Sequence, residues 1–270
     1  MKAKKQKLTD RLVEMGACPT EKEAAARVMA GEVYVNGQIA KNGALIKADD
    51  SVTLKGTLPY ASKGGFKLAG ALTDFGIDVT NRVCVDAGAS TGGFTDCLVQ
   101  RGAKLVYAVD VGFGQLMGRL RQDARVVNLE KTNVSDAKLL TLEPRPMFGT
   151  VDVSYLSLRK AIPYFSAILH GEGELCCLVK PLFEIDDAEA RRTGVIADDQ
   201  YAPLLRALID DVNALPGASV RAVTHSPVTG NAGTREFFLH VMLNAESDPI
   251  PDDQIARAVQ RARELEQYKK

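Results

Sequence analysis

No run of this chain approaches the ~20 consecutive apolar residues that cross a bilayer. Met1–Lys7 has the charge of a signal-peptide n-region, but Leu8-Thr9-Asp10-Arg11 follows where an apolar h-region would stand, so the expected location is cytoplasmic. Net charge is lacking too. The 34 basic residues balance 34 acidic ones, which argues against an electrostatic hold on nucleic acid by the whole surface. The five cysteines are Cys18, Cys84, Cys97, Cys176 and Cys177; none form a Cys-x-x-Cys pair and their number is odd. That disfavours structural zinc and a disulfide framework, and suits buried thiols. His170, His225 and His240 lack metal-ligand spacing, so no metal is expected. There is no internal repeat.

What is present is ordinary globular composition. With 46% hydrophobic and 25% charged residues, wholesale disorder is excluded, and 270 residues suit one large domain or a large one plus a small one. The neutral sum hides an uneven distribution. Residues 1–67 hold twelve Lys and Arg against seven Asp and Glu, about +5. A local basic face of that kind can bind phosphates, or it can be a solvated tail.

Leu8, Leu12, Val13 and Met15 have helical spacing that Gly16 stops. Thr20 is a good N-cap, with Glu23 completing a capping box, and Ala24, Ala25, Val28 and Met29 form the apolar face of a second helix that Gly31 ends. Val33-Tyr34-Val35-Asn36-Gly37-Gln38-Ile39 reads as a strand entering an Asn-Gly hairpin, and Asp49–Leu54 as a turn and a closing strand.

Arg11-Leu12-Val13-x-x-Gly16 and Met29-Ala30-Gly31-x-Val33-x-Val35-Asn36-Gly37 resemble the S-four RNA-binding domain of ribosomal proteins and RNA-modifying enzymes. The resemblance covers residues 6–57 and implies RNA contacts by Arg11, Lys22, Arg27 and the Lys2–Lys7 run. Glu21 stands where that domain often carries an arginine. The resulting division is an S-four-like RNA-binding domain at 1–57, a Gly- and Pro-punctuated linker at 58–66, and a second domain at 67–270.

Beyond the linker, Leu68–Phe75 reads as a short amphipathic helix. Strands are expected at Arg82–Asp86, Lys104–Asp110, Arg125–Leu129, Thr150–Tyr155, Glu174–Lys180, Ser219–His225 and Glu236–Leu243, and Ile255, Val259, Ala262 and Leu265 mark a final helix. The early strands are continuous apolar runs, as for parallel strands covered on both faces. Helical stretches separate them, so the expected fold is a doubly wound, Rossmann-like α/β sheet preceded by a small α+β domain.

The first of these strands runs into Val85-Asp86-Ala87-Gly88-Ala89-Ser90-Thr91-Gly92-Gly93-Phe94. Glycines there let a ligand approach the backbone, and a following helix N-terminus supplies free N–H donors. Three ligand chemistries compete. The Gly-x-Gly-x-x-Gly spacing of a dinucleotide loop is absent. Gly88-Ala89-Ser90-Thr91-Gly92 matches a hydrolase nucleophile elbow, with His225 as a conceivable partner, but it follows the first strand and has no glycine-rich oxyanion segment upstream. The third is S-adenosylmethionine. Asp86 and Asp110 suit its cationic methionine end and its ribose diol, Asp110 accepting from the ribose hydroxyls. The cofactor set is then Asp86, Gly88, Ser90, Gly92, Gly93, Phe94 and Asp110. Phe94, like Phe113, is read as packing beside the loop, and Glu130 as a residue near the adenine.

Four stretches then carry a second resemblance: Asp86–Leu98, Ala108–Leu116, Asp152-Val-Ser154-Tyr-Leu-Ser157-Leu158, and Leu178-Val-Lys180-Pro181-Leu-Phe183-Glu184. They resemble the TlyA-type haemolysin family of ribosomal-RNA ribose 2′-O-methyltransferases, and with the front domain the likeness spans nearly the whole chain. Lysine can act as a base on a ribose hydroxyl when burial or a neighbouring cation lowers its pKa, and a carboxylate can orient it. Asp152 and Lys180 end the fourth and fifth strands, Lys67 precedes the core, and Glu236 opens the last strand. The resemblance makes these four the Lys-Asp-Lys-Glu tetrad, with Lys180 as base, Asp152 tuning and orienting it, and Lys67 and Glu236 positioning the ribose and the second charge. It implies methyl transfer from S-adenosylmethionine to ribosomal RNA or ribosomal subunits, within rRNA processing. The alternative is an RNA-binding or ribosome-associated protein with a vestigial methyltransferase domain, favoured by Lys63, Ser135 and Ala197 where the family often carries arginine. A membrane-lytic role is suggested by the haemolysin name alone.

Overall fold

The computed structural model describes residues 5–15, 17–36, 38–48, 50, 52–54, 59–154, 156–230, 233–246 and 249–265. Gly16, Gly37, Asp49, Ser51, Tyr155, the start of the basic run, residues 55–57 at the end of the expected front domain and Leu58 at the start of the linker lie outside them. The chain divides into two compact units, Met1–Pro59 and Tyr60–Lys270.

The first unit begins with β1 (Gln6–Lys7), α1 (Leu8–Glu14) and α2 (Glu21–Met29). Thr20 caps α2, accepting from the Glu23 N–H at 3.2 Å. β2 (Val33–Val35) and β3 (Gln38–Ile39) form the expected hairpin, with Val35 facing Gln38 and Asn36 in the left-handed region at φ 52°. β4 (Leu45–Ile46) pairs with β1, and β5 (Val52–Leu54) pairs with β2. The core is small: Leu8, Leu12, Ala24, Val28, Val33 and Ile46 are its main buried members.

The second unit starts with α3 (Lys63–Phe75), which begins earlier than the sequence pattern suggested. Gly64-Gly65 reads as loop punctuation, yet Ser62 caps the helix at Gly64 N, and a Cβ on Gly65 would lie 2.2 Å from the Tyr60 side chain. These glycines serve packing, not chain reversal. Next come β6 (Val83–Ala87), α4 (Gly93–Gln100), β7 (Leu105–Val109), α5 (Gly118–Arg121) and β8 (Val126–Leu129). They are followed by β9 (Phe148–Val151), α6 (Leu158–Ile168), β10 (Gly173–Val179), α7 (Pro181–Glu184), α8 (Ala188–Thr193) and α9 (Tyr201–Asn213). β11 (Ala218–His225), β12 (Phe237–Leu243) and α10 (Asp252–Arg263) close the unit.

The seven strands are ordered β11-β12-β10-β9-β6-β7-β8. All neighbours among β10, β9, β6, β7 and β8 are parallel, whereas β12 runs antiparallel between β10 and β11. Strand residues alternate between the two faces: Leu175, Cys177 and Val179 join the core under α6 and α9, while Cys176 and Leu178 join the core under α3 and α4. All five cysteines are buried and free. β9 starts two residues and ends four residues earlier than expected; Gly149 is a strand residue, and its missing side chain admits Leu175, whose Cδ2 would meet a Cβ at 2.7 Å. Asp152 and Ser154 therefore lie beyond the strand, in the loop.

Candidate active site

The strand order reverses between β6 and β9, and a ligand crevice is expected outside the carboxyl ends there. Gly88, just past β6, has φ 84°, and a Cβ on it would lie 2.1 Å from the Asp152 carbonyl oxygen. Glycine is required by both conformation and contact. Ser90 (φ 47°) and Gly92 (φ 99°) complete the turn that delivers the chain to the N-terminus of α4.

Register gathers the ionisable groups. The last paired residues of β9 and β10 are Val151 and Cys177, and those of β10 and β12 are Val179 and Phe237. Because β12 is antiparallel, its first residue emerges at the edge where the parallel strands end, so Glu236 meets Lys180. Lys180 Nζ is 2.5 Å from Asp152 Oδ1 and donates to Ser154 Oγ at 3.3 Å. Among the described residues nothing else satisfies that buried carboxylate oxygen, so its ammonium–carboxylate contact with Lys180 holds it. Lys67, on the second turn of α3, donates to Glu236 Oε2 at 2.5 Å, and both side chains are nearly buried. Gly70 allows this approach by admitting Pro227 of the β11–β12 connection against α3. Burial raises the Glu236 pKa and Lys67 opposes it; Asp152 and Lys180 also act on it, so the four charges form one electrostatic group.

All four line a cleft of about 620 Å³, together with Gly88, Ser90, Gly93 and Phe94. A second cleft of about 470 Å³ holds Asp110, Gln115 and Asn133 and shares Gly88, Ser90, Asp152 and Lys180 with the first. The two meet at the Asp152–Lys180 pair. Asp110 Oδ2 accepts from Ser90 N at 2.7 Å and Oδ1 from Gly112 N at 2.6 Å, which locks the glycine loop to the β7 end.

Other expected residues sit elsewhere. Asp86 is fully buried beneath the loop, accepting from Thr95 Oγ1 at 2.6 Å and Thr150 Oγ1 at 2.8 Å, and lines neither cleft. Burial pushes its pKa up to about 6 against the pull of those hydroxyls. Gly92 faces Leu116 and Leu120 instead of a cleft. Phe94 packs near Phe238, but Phe113 is 70% exposed with Lys131 Nζ 4.4 Å over its ring, contrary to the packing expectation. A glycine-rich loop held by Asp110 and Glu130 lifts it off the core, and Glu130 accepts from Gly114 N at 2.9 Å outside both clefts. His225 lies among Thr224, Asp74 and Arg261, and the partner of Ser90 Oγ is Gln115, so no hydrolase triad is assembled from these residues. Arg11 and Arg27 are half-buried and Lys22 exposed on the helices of the first unit. Sequence reading passed over Ser154 and Glu184, although both stand in the motifs it singled out.

A family model described as FtsJ-like methyltransferase matches residues 60–242, and one described as S4 domain matches residues 6–52. A Bacillus subtilis protein named "Putative rRNA methyltransferase YqxC" is 39% identical over 100% of this chain and 98% of its own length. The Mycobacterium tuberculosis 16S/23S rRNA (cytidine-2′-O)-methyltransferase TlyA is 36% identical over 88% of this chain and 90% of its own. "Hemolysin A" of Brachyspira hyodysenteriae is 37% identical over 83% and 95%. A solved structure described as "Putative hemolysin from Streptococcus thermophilus" superposes with a TM-score of 0.70 at 35% identity, covering 97% of this chain and 96% of that one. No helix among the described residues is long and apolar enough to cross a membrane. With its sheet unit matched almost throughout and its relatives aligned along most of their length, the chain belongs to the FtsJ-like methyltransferase family and carries an S4 domain at its front.

Proposed function

We propose that the protein transfers a methyl group from S-adenosylmethionine to a ribose 2′-hydroxyl of ribosomal RNA, in the cytoplasm and as part of rRNA processing. The observation that carries this reading is the pair of lysine–carboxylate contacts, each 2.5 Å, at the carboxyl edge beside the glycine loop. Beside a glycine loop and over a ribose, two lysines each paired with a carboxylate supply the base and the positive charge that methylating a hydroxyl requires.

The clefts fit the cofactor. A glycine loop ending at a helix N-terminus borders both, Asp110 stands at the second, and the Asp152 carboxylate lines both. Gly88, Ser90, Gly93 and Asp110 would hold it, and when bound it supplies an electrophilic methyl on a sulfonium. The chain does the rest. For the step Lys180 must first give up a proton, which the bound sulfonium and Lys67 favour and Asp152 opposes; the neutral amine then takes the hydroxyl proton at Nζ, and Asp152 fixes its direction. Lys67 offers positive charge to the developing alkoxide, held in place by Glu236. The S4 domain, with Arg11, Lys22 and Arg27, supplies contacts to RNA phosphates.

The test is transfer of labelled methyl to ribosomal subunits and to protein-free rRNA, followed by mapping. Label on a ribose, marked by an alkali-resistant phosphodiester, is expected. Label on bases alone, or none on either substrate, overturns the reading. A chain lacking residues 1–59 should bind cofactor normally and lose most of its affinity for rRNA.

A further inference from the structure

Lys180 and Asp152 must stay in register, yet the hydrogen-bond ladder between their strands stops at Cys177 and Val151. Both residues lie past that rung: Asp152, whose N–H still donates to Ala87 O of β6 at 2.9 Å, and Lys180, the residue after the β10–β12 ladder and the N-cap of α7. One leads into α6, the other into α7. Glu184, at the end of α7, reaches across to the N-terminus of α6. Its Oε1 accepts from Leu158 N at 2.8 Å, and its Oε2 accepts from Ser157 Oγ at 2.6 Å and Arg159 Nη1 at 2.8 Å. Its side chain is 2% exposed. A buried carboxylate is costly unless its lone pairs are filled, and here three donors fill them. Arg159 is itself fixed by Asp211 of α9, Nε to Oδ2 at 2.6 Å. Asp152, the loop to Ser157–Leu158, Glu184, α7 and Lys180 thus form a closed ring, completed by the Lys180–Asp152 contact.

We propose that Glu184 is a positioning residue for methyl transfer. It clamps the loop carrying Asp152 to the helix that follows Lys180, and so holds the amine against its carboxylate where the strand ladder no longer does. The proposal rests on the reading of Lys180 as the base. It differs from simple fold support in a measurable way, because its effect passes through Lys180.

Single-turnover methyl transfer to ribosomal subunits, at saturating RNA and S-adenosylmethionine, should be slowed about 10- to 100-fold in Glu184→Gln, the scale for a reacting group displaced by about 1 Å. Cofactor affinity by calorimetry should stay within a few-fold. Added to Lys180→Ala, Glu184→Gln should cost nothing more. An equal loss in both backgrounds, or a wild-type rate for Glu184→Gln beside a crippled Lys180→Ala, overturns the proposal and leaves the base assignment standing. A near-wild-type rate for Lys180→Ala overturns the base assignment instead, and a second readout then decides the clamp. In cofactor-free protein, acetylation of Lys180 by acetic anhydride, measured against exposed Lys104, should quicken several-fold in Glu184→Gln as the amine leaves Asp152; unchanged labelling overturns the clamp. If Glu184→Gln does not fold, Ser157→Ala removes the 2.6 Å bond together with the α6 cap from Arg159 N at 3.2 Å and carries the same comparisons, with a smaller loss expected.

Discussion

The two units differ in whether they bury charge: both carry exposed ion pairs, and the second also holds buried ones. In the first, Lys7–Glu21 stands at 3.6 Å and Arg11–Glu14 at 3.9 Å, with every partner at least two-fifths exposed. In the second, Lys67–Glu236 and Lys180–Asp152 each stand at 2.5 Å, with every partner a quarter exposed or less. Exposed pairs of the first kind contribute ~0–1 kcal/mol and are screened by salt. Their cations stay free to exchange a carboxylate for an RNA phosphate. Pairs of the second kind act in a low dielectric and hold their geometry, at a desolvation cost that only a deep scaffold sustains. A core as small as that around Leu8, Leu12 and Val28 has nowhere to bury such a pair. The seven-stranded sheet, with a core on each face, does. On the proposed function, capture falls to the first unit and chemistry to the second, and this difference in what each can bury is the physical reason.

The sharpest way to break the contrast is at Lys180. Lys180→Ala should lower single-turnover methyl transfer by about 10²–10⁴, the usual worth of a positioned general base, and leave cofactor affinity within a few-fold. Lys180→Arg should fail as well, because guanidinium does not give up its proton. An arginine variant near the wild-type rate shows that the position supplies charge alone.

Asp86 probes what burial does to a lone carboxylate. Its folded pKa of about 6 lies above the unfolded value, so its contribution to stability is full below pH ~4 and is lost as pH rises through ~6. The loss is on the order of 2–3 kcal/mol. In Asp86→Asn, urea unfolding at pH 4.5 and pH 7 should differ by correspondingly less than in the wild type; Glu236, raised in the same direction, leaves a residual slope. Identical pH dependence in the two proteins refutes the assignment.

Asp110 tests the second cleft. Asp110→Ala frees Ser90 N and Gly112 N and removes the acceptor at the β7 end, so cofactor binding should weaken by about 1–3 kcal/mol. Unchanged calorimetric affinity in the folded variant removes Asp110 from the cofactor set. The smallest effect belongs to the first unit. Glu14→Gln should shift the melting midpoint of the chain within error, about 0.5 kcal/mol or less, and leave or slightly raise affinity for rRNA at low salt. A loss above 1 kcal/mol would mean that the exposed pairs are structural after all.

Much of this architecture is legible in one sequence. Thr20 and the Asn36 turn follow from local chemistry, since a cap hydroxyl and a residue tolerant of positive φ act within a few residues of themselves. The alternation of strand and helix follows from apolar runs, and each strand's place from its length. The glycine loop is visible because no other residue type tolerates a φ of 84° while standing against the Asp152 carbonyl. Gly65 reads as linker punctuation because a glycine chosen to admit Tyr60 has the same letter as one chosen for a turn.

Sequence by itself therefore determined most of the elements and the glycine loop, because these are set by short-range geometry, and the resemblance singled out the four charged residues. Tertiary structure alone decided their pairing. Nothing local says that β12 runs antiparallel and so delivers Glu236 to the edge where Lys180 ends, that Asp86 lies under the loop instead of on the cleft, or that Glu184 bridges two loops past the last rung of the ladder. Those facts depend on which strands are neighbours, and strand neighbours are chosen by the burial of whole faces, which no short stretch of chain contains.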